Sequence, residues 1–144
     1  MALEWSEATN DVDWDELSRL YREAPLGDKK PGDLQVVFTN SLFAYFVYDS
    51  GVLIGAGRAL ADGRDCSYLC DIAVHPSHQA RGIGKEIVSR LVERSRGHKK
   101  IILYAAPGKE PFYRKLGFQR MATALAIFEN QEQALRNGLL VDEP

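Results

Sequence analysis

Apolar residues recur along this chain with two different periods. Trp14, Leu17, Leu20 and Tyr21 fall on one face of a helix predicted over residues 14–23, with Asp11 or Asp13 ahead of it as cap. Ile83, Ile87 and Leu91, flanked by Val88 and Val92, stand at i, i+4 and i+8. They make one stripe on a second helix, residues 82–96, which Gly97 and His98 end. Denser apolar runs read as strands at residues 3–7, 42–48, 52–60, 67–74 and 99–105. Asp49-Ser50-Gly51 joins two of them as a hairpin, and His75-Pro76 ends a third because proline donates nothing to a ladder. Short helices are predicted at 33–40 and at 110–116, the latter with Pro111 in its first turn and Gly117 past its end. The tail reads as strands at 118–120 and 123–128 and a last helical turn at 132–137. Hairpins require antiparallel pairs, whereas strand–helix–strand across 67–105 implies a parallel crossover. The fold class is α/β, a mixed and mostly antiparallel sheet with helices on both faces.

Length and charge narrow the possibilities. The 144 residues suit a single domain over residues 1–144, and 45% hydrophobic with 26% charged residues is the composition of a globular protein. Eighteen basic against 20 acidic side chains give a net charge of −2, without the basic excess of a nucleic-acid binder. No apolar run nears the ~20 residues of a membrane span, and residues 1–5 do not read as a signal peptide. The expectation is a cytoplasmic protein acting on neither nucleic acid nor membrane. Cys66 and Cys70 share one strand, where four residues span roughly 13 Å, beyond the ~7 Å reach of a disulfide. His75, His78 and His98 lack the paired spacing of metal ligands, so no metal is expected.

The segment Gln79-Ala80-Arg81-Gly82-Ile83-Gly84 links a strand to an amphipathic helix. Glycines there let the backbone approach a ligand, and a helix N-terminus favours a phosphate or pyrophosphate, with Arg81 and Lys85 adding charge. Two glycines also make a tight corner, which is the plain structural alternative. The wider segment from Val74 through His75, Pro76, Gln79, Gly82 and Gly84 to Val88 resembles motif A of the GCN5-related N-acetyltransferase (GNAT) superfamily. Phe112-Tyr113-Arg114-Lys115-Leu116-Gly117-Phe118 resembles its motif B, in the right order and with a buried strand between. The likeness spans residues 67–118, and within the superfamily it is nearest to small bacterial and chloroplast-type members.

What the resemblance implies is an acetyl-CoA-dependent N-acetyltransferase with a splayed central strand pair. Ile72, Ala73 and Val74 would pair with the pantetheine arm. Gln79, Ala80, Arg81, Gly82, Ile83, Gly84 and Lys85 would hold the pyrophosphate, and residues 101–105 would form the second splayed strand. Attack by an amine on a thioester needs a neutral amine, donors for the oxyanion and a proton for the thiolate. Main-chain N–H groups at a bulge near Ile72 or Ala73 suit the oxyanion. Tyr113, one helical step from the Phe112–Leu116 pair, matches the acid, its alternative being a half-buried aromatic. Asp71, expected opposite Tyr68, Cys70 and Ile72, is either a base or an acceptor that holds the bulge. Tyr48, Tyr68 and Glu110 are weaker base candidates, and Tyr104 reads as core or wedge lining. An acceptor pocket is expected from residues 26–30, Tyr45, Tyr48 and the chain end. Acidic residues near the start favour a cationic amine, while Lys29 and Lys30 favour an anionic one. The partner is thus an amine-bearing small molecule or peptide. A homodimer through strand 123–128 also follows, and the competing reading is a non-catalytic acyl-CoA-sensing or protein-binding domain of the same fold.

Overall fold

A computed structural model describes residues 2–143. The chain falls into two compact units, Met1–Leu103 and Tyr104–Pro144.

In the first unit, Asp13 caps helix α1 (Trp14–Glu23), its carboxylate accepting the N–H groups of Asp15 and Glu16. Helix α2 (Pro31–Thr39) begins two residues earlier than its pattern predicts, because Pro31 fits the first turn, where a missing N–H costs nothing. Strands β1 (Leu3–Ser6), β2 (Phe43–Asp49), β3 (Val52–Ala61), β4 (Cys66–Val74) and β5 (Lys100–Ile102) form one sheet in that order. Every pair is antiparallel except β4 with β5. Helix α3 (Ile83–Arg94) makes the crossover between those two. The fold class is therefore the expected one, a mixed α/β sheet with helices on both faces.

Leu17, Leu20 and Tyr21 of α1 and Leu34 and Phe38 of α2 pack on Ala44, Phe46, Leu53, Ala56 and Ala73 of the sheet. Ile87, Val88 and Leu91 of α3 are buried on the other face. Gly57 allows that close approach. A Cβ there would lie 2.7 Å from Ile87 Cγ2 and 3.3 Å from Leu91 Cδ1. Burial from both sides explains why β2 and β3 read as nearly unbroken apolar runs.

β4 and β5 pair only from Cys66–Lys100 to Tyr68–Ile102. β5 is thus three residues long where seven were predicted, and β4 runs on to Val74 without its partner. The two cysteines are free.

The second unit holds α4 (Glu110–Lys115) and α5 (Gln131–Arg136), the latter capped by Asn130. The strands predicted at 118–120 and 123–128 are absent. An apolar run becomes a strand only when a neighbour completes its ladder, and the five-stranded sheet does not include this segment. Leu125 and Ile127 are instead 97% and 94% exposed. The strand invoked for dimerisation is thus not formed in this chain.

Candidate functional site

The β3–β4 ladder carries the first unusual feature. Ala56 pairs with Ala73 and Arg58 with Cys70, so Asp71 and Ile72 together oppose the single residue Gly57. This is a bulge, and Asp71 takes a left-handed conformation with φ 57° to make it. Non-glycine residues pay for that conformation, and they hold it where surrounding contacts over-determine it. Here three side chains converge on Asp71. The Tyr21 hydroxyl, fully buried, donates to its carbonyl at 2.6 Å. Arg58 Nε reaches carboxylate oxygen Oδ2 at 2.7 Å, and Lys29 Nζ lies 3.4 Å from Oδ1. Arg58 also donates to Ser41 Oγ and lies over the Phe38 ring. Lys29 is held in turn, its carbonyl accepting from Ser18 Oγ at 2.6 Å and its ammonium facing the Tyr21 ring.

The bulge changes the strand's alternation. Asp71 joins the side of the sheet that carries Arg58, Tyr21 and Lys29, not the side opposite Cys70 as simple alternation predicts. Ile72 turns towards α3, its Cγ1 lying 3.3 Å from where a Gly57 Cβ would stand beside Ile87 and Leu91. Burial pushes the Cys70 thiol up to about 11, with Asp71 adding to the rise and Arg58 opposing it. Burial, reinforced by Asp71, likewise raises the Tyr21 phenol well above its usual range.

The second feature lies nine residues on. After Val74 the chain makes a single 3₁₀ turn at Pro76–His78, and the Gln79 amide reaches back to the Val74 carbonyl at 2.9 Å. Ala80 and Gly82 are both left-handed, with φ 63° and 81°. Gly82 precedes the first residue of α3, and no side chain caps that helix. The first N–H groups of a helix have no partners within it, so those of Ile83, Gly84 and Lys85 are directed along the axis out of α3. Gln79, Ala80, Arg81 and Gly82 are exposed, and a Cβ built on Gly82 would meet nothing within 4 Å. Glycine is needed there for its backbone, and the space above it is open.

Asp71, Ile72, Ala73 and Val74 therefore stand on the bulged end of β4, and Gln79 through Lys85 on the turn that follows. Tyr113 belongs to α4 in the second unit, half-buried with its ring edge-on to Phe112 and Phe118 at 5.0 and 6.0 Å. Burial raises its phenol above the usual value and so keeps it protonated. Glu110 is held as a carboxylate, below its ordinary range, by main-chain N–H groups at its own helix start and from Gly108 at 2.7 Å. Tyr104 is exposed and meets Phe128 edge-on.

The acceptor pocket needs one correction. Tyr45 lies on the α3 side of the sheet, beneath Arg90 and edge-on to Trp5, whereas the α1–α2 loop belongs to the other side. Tyr48 packs against the α1–α2 core. Part of the acidic start is also absorbed by structure, since Glu16 accepts the Leu53 N–H at 3.0 Å and Glu7 pairs with Arg94.

Sequence reasoning missed Tyr21, Lys29 and Arg58 as partners of the bulge. One signal was present. Arg58 is a lone charge in an apolar strand, and so is Asp71 in the next. Among the described residues, no group of three or more His, Cys, Asp or Glu is placed to hold a metal, and no helix is long and apolar enough to cross a membrane.

Comparison with known proteins adds the following. The family model described as Acetyltransferase (GNAT) family matches residues 6–118. Serotonin N-acetyltransferase 2, chloroplastic, of Oryza sativa subsp. japonica is 35% identical over 89 residues, 58% of this chain and 44% of that one. Glucosamine 6-phosphate N-acetyltransferase of Trypanosoma brucei brucei is 41% identical over 59 residues, 40% of each. The chain thus spans about two fifths of the length of these curated relatives. Among solved structures, a GNAT family acetyltransferase from Streptococcus pneumoniae aligns with a TM-score of 0.74 and 21% identity, covering 90% of this chain and 98% of that one. A predicted acetyltransferase from Clostridium acetobutylicum, solved with acetyl-CoA, aligns with a TM-score of 0.70 and 19% identity over 88% and 96%.

Proposed function

This chain belongs to the acetyltransferase (GNAT) family, and we propose that it moves the acetyl group of acetyl-CoA directly onto the primary amine of a small molecule or peptide. The observation that carries this reading is the backbone of one segment. A bulge at Asp71–Ile72 and an uncapped, left-handed turn at Ala80–Gly82 stand at the two ends of a stretch of about ten residues. The first supplies main-chain groups that the β3 ladder does not use, and the second supplies N–H groups suited to a pyrophosphate. The fit is supported by the open space at Gly82 and by the edge of β4 that β5 leaves unpaired beyond Tyr68.

Roles follow residue by residue. Ile72, Ala73 and Val74 present main-chain groups to the pantetheine arm, and an N–H at Ile72 or Ala73 faces the developing oxyanion. Gln79, Ala80, Arg81, Gly82, Ile83, Gly84 and Lys85 form the pyrophosphate cradle. When bound, acetyl-CoA supplies a thioester carbonyl carbon. The neutral amine nitrogen bonds to that carbon and gives its surplus proton to water, the carbon–sulfur bond breaks, and the sulfur takes the proton of Tyr113, which recovers one from solvent. Asp71 holds the bulge: Arg58 and Lys29 face its two oxygens, so the ammonium gives up its proton to water. The acceptor's class stays at the level of an amine. The two relatives above are named for serotonin and for glucosamine 6-phosphate, two different amines.

Titration calorimetry with acetyl-CoA tests the reading. We expect binding by the parent protein and its loss in Gly82→Glu, which puts a carboxylate where the pyrophosphate lies. Absence of binding at millimolar acetyl-CoA refutes it. For Tyr113→Phe, affinity should hold while the single-turnover rate drops about 10²–10⁴-fold, as for loss of a general acid. An unchanged chemical step removes Tyr113 from the mechanism. Thiol release assayed across amines then separates an enzyme from an acyl-CoA sensor.

A further inference from the structure

We infer that Glu23, His75, Ser77, His78 and Asp49 form a side-chain strap whose task is to position the pyrophosphate turn. The inference rests on the reading of that turn given above. Its middle residues, His75, Ser77 and His78, lie between the end of β4 and Gln79, a stretch to which the acetyl-transfer reading assigns no role.

Its geometry is continuous. His75 Nε2 meets Glu23 Oε2 at 2.5 Å, and His75 Nδ1 lies 2.8 Å from Ser77 Oγ. Ser77 Oγ lies 2.7 Å from His78 Nδ1, and His78 Nε2 meets Asp49 Oδ2 at 2.7 Å. The main chain of His75 is fixed as well, its N–H donating to the Ile54 carbonyl at 2.8 Å. The last residue of α1, the last residue of β2 and the connection leaving β4 are thereby joined through one serine, by its N–H towards His75 and its hydroxyl towards His78.

The hydrogens can be assigned from the partners. The Ser77 N–H points into His75 Nδ1 at 3.1 Å, so His75 carries its proton on Nε2 and donates it to Glu23. Asp49 can only accept from His78, which therefore carries a proton on Nε2. The single Ser77 hydroxyl hydrogen then goes to His78 Nδ1. The inner pair is shielded, His78 and Asp49 being 14% and 20% exposed. Within the turn the Gln79 amide reaches the Val74 carbonyl. Ala80 and Gly82 are left-handed and exposed, and α3 starts without a side-chain cap. The residues immediately before the turn are the ones that the strap ties to α1 and β2.

A positioning role differs from a stabilising one in what it does to two ligands. Acetyl-CoA reaches the turn through its pyrophosphate; S-acetylpantetheine lacks that group and uses only the β4 edge. Calorimetry with both ligands is therefore the test, with circular dichroism confirming that each variant is folded. The parent should bind acetyl-CoA more tightly than S-acetylpantetheine. His78→Ala should weaken acetyl-CoA about tenfold, the size of one or two lost hydrogen bonds, and leave S-acetylpantetheine unchanged. His78→Gln, whose amide N–H can reach Asp49, should recover most of that loss. Ser77→Ala should weaken acetyl-CoA about threefold by the same reasoning, and it carries the comparison if His78→Ala does not fold. Equal weakening of both ligands, or no weakening of either in folded variants, overturns the positioning role. Equal affinity of the parent for the two ligands fails at an earlier point. It shows that the turn does not hold a pyrophosphate, whatever the variants do.

Discussion

The bulge at Asp71 and the turn at Ala80–Gly82 both use left-handed backbone, and they are supported in opposite ways. Asp71 sits within the sheet, and Tyr21, Arg58 and Lys29 all end on it. The turn is exposed, uncapped, and open above Gly82. The difference shows where each is paid for. An interior departure from regular structure leaves polar groups that only the protein can satisfy, so side chains are committed to it. An exposed one can leave its donors to water until a ligand takes them. The bulge is thus held by side chains of the protein, whereas the turn is left open to solvent.

The largest effect on stability should come from the interior side. Arg58→Met keeps an apolar stem but strips the guanidinium from Asp71 and from the Phe38 ring, leaving a largely buried carboxylate with Lys29 alone. We expect a loss of about 3 kcal/mol, at the lower edge for a broken buried pair because Lys29 remains. Denaturant unfolding measures it, and Asp71→Asn in the same background should return part of the loss. A change below about 0.5 kcal/mol, the scale of ordinary surface substitutions, would mean that the pair does not hold the bulge. Next comes Tyr21→Phe, which leaves the Asp71 carbonyl without its buried donor, at about 1–2 kcal/mol. The turn should be the more forgiving. Gly82→Ala places a Cβ in open space at φ 81°, and its cost is the backbone preference alone, about 1 kcal/mol. Were Gly82→Ala to destabilise more than Arg58→Met, the contrast between the two sites would be wrong.

Much of this was legible before the fold was known, and the failures have physical causes. Helix α1 was readable because its apolar stripe and an aspartate cap are local signals, though Asp11 and Asp13 were both candidates and the structure uses Asp13. The turn was legible because glycine and a following amphipathic helix are also local. Asp71 was conspicuous as a charge in an apolar strand, yet its side was misread, because a bulge inverts alternation and depends on the facing strand. Tyr21, Lys29 and Arg58 come from three other elements, so their convergence on Asp71 is a property of the packing. Tyr45 was placed near the α1–α2 loop because adjacent residues in a strand look alike in sequence while facing opposite ways. The segment 118–128 failed differently: its apolar residues carry strand propensity, which yields a strand only beside a partner.

An effect confined to alkaline pH isolates the electrostatics of the bulge through Cys70. Its thiol is pushed up to about 11 from an ordinary value near 9, first by burial and then by the Asp71 carboxylate, with Arg58 pulling the other way. A raised value means that the folded protein prefers the protonated thiol more strongly than the unfolded chain does. The associated stability is fully present below pH 9, where neither state is ionised, and is lost as pH rises towards 11. Cys70→Ala removes the titrating group and keeps a small apolar side chain. The fall in unfolding free energy between pH 9 and pH 11 should therefore be shallower in Cys70→Ala than in the parent, other groups contributing equally to both. Combining the substitution with Asp71→Asn separates the causes. If burial dominates, the parent's extra slope survives in Asp71→Asn alone. If the carboxylate dominates, that slope disappears with the charge, and Asp71 acts on Cys70 more strongly than the surrounding apolar contacts do.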